Sequence, residues 1–153
     1  MTTIPDPITR TYLTTLPPLL VARWAIDVAE HVLGQYERQF PDDPRPRRAI
    51  ETARAWLRGE LAASGPWSAY PCVEEAEVAA DEAWWAYLED RTDEASDASA
   101  AADISAAAAL AAWYIVWGDD VPNAVEEIAS IARDQWTWQR EHLAELLTES
   151  VAS

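Results

Sequence analysis

Residues 98–112 read ASAAADISAAAALAA, ten alanines in fifteen positions, and the fold turns on whether this stretch is a linker or a helix. Such a composition suits a low-complexity linker. Alanine is also the strongest helix former, and a helix whose side chains are methyl groups lets neighbours approach it closely. The pattern does not stop at Ala112. Leu110, Trp113, Tyr114 and Trp117 carry it on until Gly118, the residue type that most often ends a helix. The stretch therefore reads as a close-packed central helix, and the rest of the chain has to supply helices to surround it.

On its N-terminal side, RTDEASD (91–97) breaks the chain, with Thr92 or Asp93 as the next helix cap. A third helix is expected before it, from about Cys72 to Asp90, carrying Val73, Val78, Trp84, Trp85 and Leu88 among its acids. AASGPWSAYP (62–71) is a loop by its Gly-Pro and final Pro. On the C-terminal side, GDDVPN (118–123) leads to a last helix in which Asn123 and Glu126 form a capping-box-like pair. Its stripe is Val125, Ile128, Ile131, Ala132, Trp136, His142, Leu143 and Leu146, and residues 149–153 are expected to fray.

The N-terminal third holds two more helices. The first is expected from Pro17 or Pro18 to about Gln39, with Ala22, Ala25, Ala29, Val32, Leu33, Tyr36 and Phe40 in one stripe. FPDDPRPRRAIE (40–51) is a joint. Pro41 stops the first helix, Asp43 is read as an N-cap, and Pro44 and Pro46 fall in the first turn of the next, where proline disrupts least. Ile50, Ala53, Leu57 and Leu61 then share a face beside Trp56, and so short a turn makes the two helices antiparallel neighbours. Residues 1–15 read as a loose arm. The expectation is an all-α, single-domain bundle of about five helices over residues 16–148.

Composition agrees with a helical core and narrows the function classes. Only 4 glycines in 153 residues leave few tight turns for a sandwich or barrel, and 9 Trp against 1 Phe place the aromatic volume in rings whose N–H needs a partner when buried. Lone Cys72 cannot form an internal disulfide. No apolar segment after the N-terminus resembles a secretion signal, and none approaches the roughly 18 uninterrupted apolar residues of a membrane span. A cytoplasmic protein is the plain reading. A formal charge of −16 opposes direct binding to nucleic acid or anionic lipid.

Motifs for catalysis are missing. His31 and His142 are the only histidines, and neither HExxH nor CxxC occurs. There is no GxSxG elbow and no phosphate-cradling glycine loop, and Glu74 and Glu75 beside Cys72 disfavour a thiolate. No catalytic residue, metal ligand or cofactor is assigned. His31 reads as a partly buried helix residue whose ring meets a backbone or carboxylate partner. Asp119 and Asp120 read as charge complements to a helix N-terminus. Asp42, Asp43, Arg45, Arg47 and Arg48 form a cluster that either pairs with its own acids and the acidic third helix or grips carboxylates on a partner.

Charge is unevenly placed. Ten acids lie between Glu74 and Asp97 against Arg91 alone. Like charges at helical spacing destabilise their own helix by a few tenths of a kcal/mol. The acidic helix is either a solvated face or the docking surface for a basic partner, with Glu74, Glu75, Glu77, Asp81 and Glu82 steering it and Trp84 and Trp85 as anchors.

Residues 24–61, WAIDVAEHVLGQYERQFPDDPRPRRAIETARAWLRGEL, resemble the opening helical pair of a family of actinobacterial immunity proteins related to the Imm-five-like group and associated with polymorphic toxins. The resemblance lies in Trp24, His31, Asp43, Arg45, Arg47, Glu51, Arg54 and Trp56, with Pro41, Pro46, Ile50, Arg58 and Gly59 around them. Val28 stands where the family usually has Cys, and the later helices lack its several histidines. The resemblance implies a small helical protein that neutralises a toxin. Together with the charge, it leads to the expectation of a non-catalytic binding protein inhibiting a basic partner. The alternative is a phage-type anti-defence inhibitor or nucleic-acid mimic acting on a nucleic-acid-binding protein; an enzyme and a self-associating structural protein rank behind both.

Overall fold

The computed structural model describes residues 4, 8–59, 70–117, 121–122 and 136–152. Among them are six helices and no strand: α1 (Arg10–Leu13), α2 (Pro18–Gln39), α3 (Arg45–Leu57), α4 (Tyr70–Asp90), α5 (Asp93–Trp117) and α6 (Trp136–Ala152). Five are long enough to build the expected all-α bundle.

The alanine-rich stretch lies inside α5, which packs against α2, α3 and α4. Ala98, Ala101, Ala102, Ala108, Ala111 and Ala112 are fully buried. Methyl side chains allow helix axes to approach at the short end of the usual 8–10 Å range, so three neighbours fit around α5. Ile104 fills the space the alanines leave, and the buried Ser105 hydroxyl donates to the Ala101 carbonyl at 2.9 Å. Alanine also gives α5 a mean hydropathy and length sufficient to cross a bilayer, although acids such as Asp97 and Asp103 interrupt its apolar run. Two-thirds of that segment, 67%, is buried inside the bundle, where a core helix belongs.

The second hub, α2, starts at Pro18 with Pro17 as its N-cap. Its expected stripe is buried except for half-buried Phe40, and Trp24, Ile26 and Val28 are buried as well. The stripe was drawn too narrow because α2 is covered on several sides, by α3, α5 and α6. The Trp24 indole N–H donates to the Gln139 carbonyl on α6 at 3.1 Å, which satisfies that buried ring.

Several boundaries differ from expectation. Within residues 1–15, read as an arm, the described part carries a short helix, α1. Thr9 caps α1 by accepting from the Tyr12 N–H, Ile8 and Leu13 enter the core, and Arg140 of α6 donates to the Ile4 carbonyl. RTDEASD is not a seven-residue break, since only Arg91 and Thr92 separate α4 from α5. Arg91 takes a left-handed φ of 54°, and the Thr92 hydroxyl accepts from the Ala95 N–H at 3.1 Å. Asp93 and Glu94 then complement the N-terminal dipole of α5. Helix α4 opens at Tyr70, two residues ahead of Cys72, and α6 continues to Ala152, past the point expected to fray. The Asn123–Glu126 cap, the Asp119–Asp120 pair, Gly118, Leu61 and the stripe from Val125 to Ala132 lie outside the described residues.

Candidate functional site

The joint between α2 and α3 is built around one carboxylate. Asp43 precedes the cap instead of being it, because Pro44 occupies the N-cap position and Pro46 is buried in the first turn. From there Asp43 Oδ1 accepts the Arg45 backbone N–H at 3.1 Å and the Arg45 Nε–H at 2.9 Å, while Oδ2 accepts from the Arg45 guanidinium at 2.8 Å. The buried Tyr36 hydroxyl also donates to Oδ2. The Arg45 hydrogen bonds, supported by Tyr36, outweigh partial burial and hold the Asp43 carboxyl at about 2. Burial, and then the bond to Asp43, push the Tyr36 phenol well above its ordinary value. Arg45 reaches on to Glu82 of α4 at 2.6 Å, so this cluster ties three helices together.

Two further arginines lock α2 to α3. Arg47 forks onto Glu37 at 2.7 and 2.6 Å, and its hydrogen bonds lower the Glu37 pKa. Arg54 donates to Asp27 at 2.8 Å and to Glu30. Asp27 then bridges to α6, where its other oxygen meets His142 Nε2 at 2.6 Å. The Trp138 ring on α6 stacks on His31 of α2, with centroids 3.9 Å apart, and also on His142 at 4.8 Å. His31 is exposed and stacks on Trp138, where a partly buried residue with a backbone or carboxylate partner was expected, and His142 makes a carboxylate contact through Asp27. Cys72 is half-buried and accepts from the Thr52 hydroxyl at 3.6 Å.

Among the motif residues, then, Asp43, Arg45, Arg47, Arg54, Trp24 and His31 are committed to contacts within the bundle. Trp56 is a buried core residue and Glu51 is exposed. Of the two readings of the arginine cluster, the contacts shown are the internal ones.

Helix α4 divides differently. Val73, Ala76, Ala79, Ala80 and Ala83 face the core. Glu74, Glu75, Glu77, Asp81 and Glu82 face outward with Val78, Trp84 and Trp85, whose exposures of 48%, 49% and 65% make them large apolar groups open to solvent. Trp84 rests on Tyr87 with centroids 5.5 Å apart. Partial burial, followed by repulsion from Glu74 and Asp81, raises the Glu77 pKa. Within the face assigned to docking, Glu82 is ion-paired with Arg45 of the joint. Beside this face runs a groove between α4 and α5, lined by Glu77, Ala80, Asp81, Asp103, Ala106, Ala107 and Leu110, with a volume of about 320 Å³.

Sequence reasoning missed Asp27, Trp138 and Asp103. Asp27 carried a signal, a carboxylate three residues after Trp24 and four before His31 on the face of an otherwise apolar helix. The Trp138–His142 spacing of four places both rings on one face of α6, but nothing local says that α2 lies opposite.

An all-α bundle with an ion-paired helical hairpin at its N-terminal end defines the class. Residues 12–66 match the family model described as Imm-5 like putative immunity protein, a segment that runs from α1 through α2 and α3. No curated protein and no solved structure matches the chain.

Proposed function

We propose that this chain is an immunity protein that binds and neutralises a toxin without catalysis, acting in the cytoplasm on a basic partner. The observation that carries the reading is the match of residues 12–66 to an immunity-protein family. What the rest of the chain adds is a surface. An outward face of α4 that combines acids with three solvent-open apolar side chains has the composition of a docking site, in which charge sets encounter and desolvated aromatic rings set residence time. Apart from Glu82, which pairs with Arg45, the acids repel one another along their own helix, a cost that a cationic partner would offset.

Co-expression with a toxin encoded beside this chain tests the reading. Growth should be restored by the wild-type chain and not by an unrelated acidic helical protein. With that partner purified, changing Glu74, Glu75, Glu77, Asp81 and Glu82 to the corresponding amides should slow association by about tenfold or more and flatten its salt dependence. Trp84→Ala or Trp85→Ala should instead speed dissociation by about 30-fold, the equivalent of about 2 kcal/mol at an interface anchor. A chain that rescues growth from no toxin encoded beside it is not an immunity protein.

A further inference from the structure

Helix α4 ends at Asp90, and the residue that follows it takes the left-handed conformation. Glycine is the usual occupant of such a position, because a Cβ there crowds the following carbonyl. This chain places an arginine there, at a φ of 54°. The Arg91 backbone N–H donates to the Tyr87 carbonyl at 2.7 Å, a bond that glycine would make equally well. The guanidinium is what glycine lacks. Its Nε–H donates to the Leu88 carbonyl at 3.3 Å, and the planar group lies over the Tyr87 ring, 5.5 Å from the centroid. Arg91 is the one base among the ten acids from Glu74 to Asp97, yet it forms an ion pair with none of them. A cation surrounded by carboxylates is spent on a ring.

That ring carries the effect along the helix. Tyr87 is half-buried, and Trp84 rests on it with centroids 5.5 Å apart and planes tilted by 44°. Trp84, Tyr87 and Arg91 are spaced by three and four residues, so indole, phenol and guanidinium form a ladder along one side of α4, held by ring packing and cation–π attraction. Trp85 is more exposed than Trp84 and, among the described residues, has no ring beneath it. Of two adjacent tryptophans, one is braced and the other is not. An anchor that is already ordered loses less freedom when it binds. A cation at this end of α4 also complements the helix dipole, but that role needs neither a plane nor a ring. Backbone held in a disfavoured conformation at a surface points to function.

We propose that Arg91 is a positioning residue of the partner-binding face: through Tyr87 it fixes the Trp84 indole in the orientation that the partner receives. The inference deepens the immunity reading and rests on α4 being the docking face. Half of its test needs no partner.

Indole N–H signals of the isotope-labelled full-length chain report the order of each tryptophan, with Trp84 and Trp85 assigned by their loss in Trp84→Phe and Trp85→Phe. Arg91→Gly removes the guanidinium and relieves the backbone, and Arg91→Lys keeps the charge without the plane. Both should shift the Trp84 indole and raise its mobility on the ps–ns timescale, with Trp85 unchanged. The melting temperature of Arg91→Gly should be equal to or above that of wild type. In the complex with a toxin encoded beside this chain, Arg91→Gly should weaken affinity by about three- to tenfold, the effect of having to order one side chain on binding. That loss should vanish in a Trp84→Ala background and persist in a Trp85→Ala background. An arginine that only caps the helix gives the reverse, a lower melting temperature with the Trp84 signal unmoved, and that result overturns the proposal. So does a loosened Trp84 whose affinity loss adds in full to that of Trp84→Ala. If no toxin encoded beside the chain binds, the immunity reading fails, and the indole signals still decide the positioning: a loosened Trp84 upholds it and an unmoved one rejects it.

Discussion

Replacing Asp43 by alanine removes the acceptor on which the joint closes, and the structure sets the size of the loss. The carboxyl sits at about 2 against an ordinary 3.8, a gap equivalent to about 2.4 kcal/mol at neutral pH if taken at full value. Solvent around the partly exposed Arg45 screens this to about 1–2 kcal/mol. The same change leaves the buried Tyr36 hydroxyl without its acceptor, at a cost of about 1–3 kcal/mol, and the two losses overlap because they share one site. The expected total is about 2–4 kcal/mol, seen as a fall in melting temperature of roughly 5–15 °C for a chain of this size. Because the folded-state pKa is depressed, the charge-dependent part is fully present above pH 3.8. It is lost as pH falls towards 2, since the unfolded chain takes up the proton first. Denaturant unfolding of wild type and Asp43→Ala at pH 6 and pH 2.5 reads both parts. The difference between them should shrink by about 1 kcal/mol at the lower pH. A cost below about 0.5 kcal/mol at pH 6, or one that does not change with pH, refutes the role given to this carboxylate.

Other changes test the bundle elsewhere. Gly34→Ala should stabilise by about 0.5–1 kcal/mol, since the position is exposed mid-helix and an added Cβ meets only the Arg38 side chain at 3.8 Å; thermal melts check it. Gly59→Ala should destabilise by about 1 kcal/mol, because its φ of 76° is left-handed, and the same melts would show it. Ala108→Leu forces added volume into the fully buried contact of α5 and should cost at least about 1–3 kcal/mol, measured by denaturant unfolding. Trp24→Phe removes the N–H that holds the Gln139 carbonyl, so amide exchange should accelerate in α6 more than in α3.

Much of the architecture was legible because helical signals here are local. Proline at Pro17, Pro18 and Pro41 brackets α2, and alanine density marks α5, since backbone preference and side-chain size act residue by residue. What was not legible depends on which helix lies opposite. Trp84, Trp85 and Val78 looked like the apolar residues of α4, yet alanines form its inner face, because α5 approaches too closely for larger groups. Asp43 looked like a helix cap, a role defined by its neighbours in sequence. Its contacts to Tyr36 and, through Arg45, to Glu82 exist only once three helices meet. The stack of Trp138 on His31 joins residues more than one hundred positions apart, and no spacing rule reaches that far.

The division of labour within the chain follows from where the charges end. In the segment that matches the immunity family, the arginines of the motif terminate on its own acids or on the neighbouring helix: Arg45 on Asp43 and Glu82, Arg47 on Glu37, Arg54 on Asp27 and Glu30. A guanidinium already held by carboxylates has to break those bonds before it can grip a partner, and the exposed pairs return little stability when they reform. The matched hairpin is thus suited to holding α2, α3 and α4 in register. Helix α4 from Tyr70 onward and α5 lie beyond the matched residues, and they carry the solvent-open tryptophans and the acid-walled groove. A toxin and its antidote must recognise each other specifically, and specificity needs contact groups that can vary without unfolding the protein. If recognition lies on α4, as proposed, a scaffold locked by its own ion pairs meets both demands. On this reasoning, grafting the outward residues of α4 onto another scaffold that matches the same family should transfer partner choice, whereas exchanging the hairpin should change stability alone; growth rescue against each scaffold's own toxin separates the two outcomes.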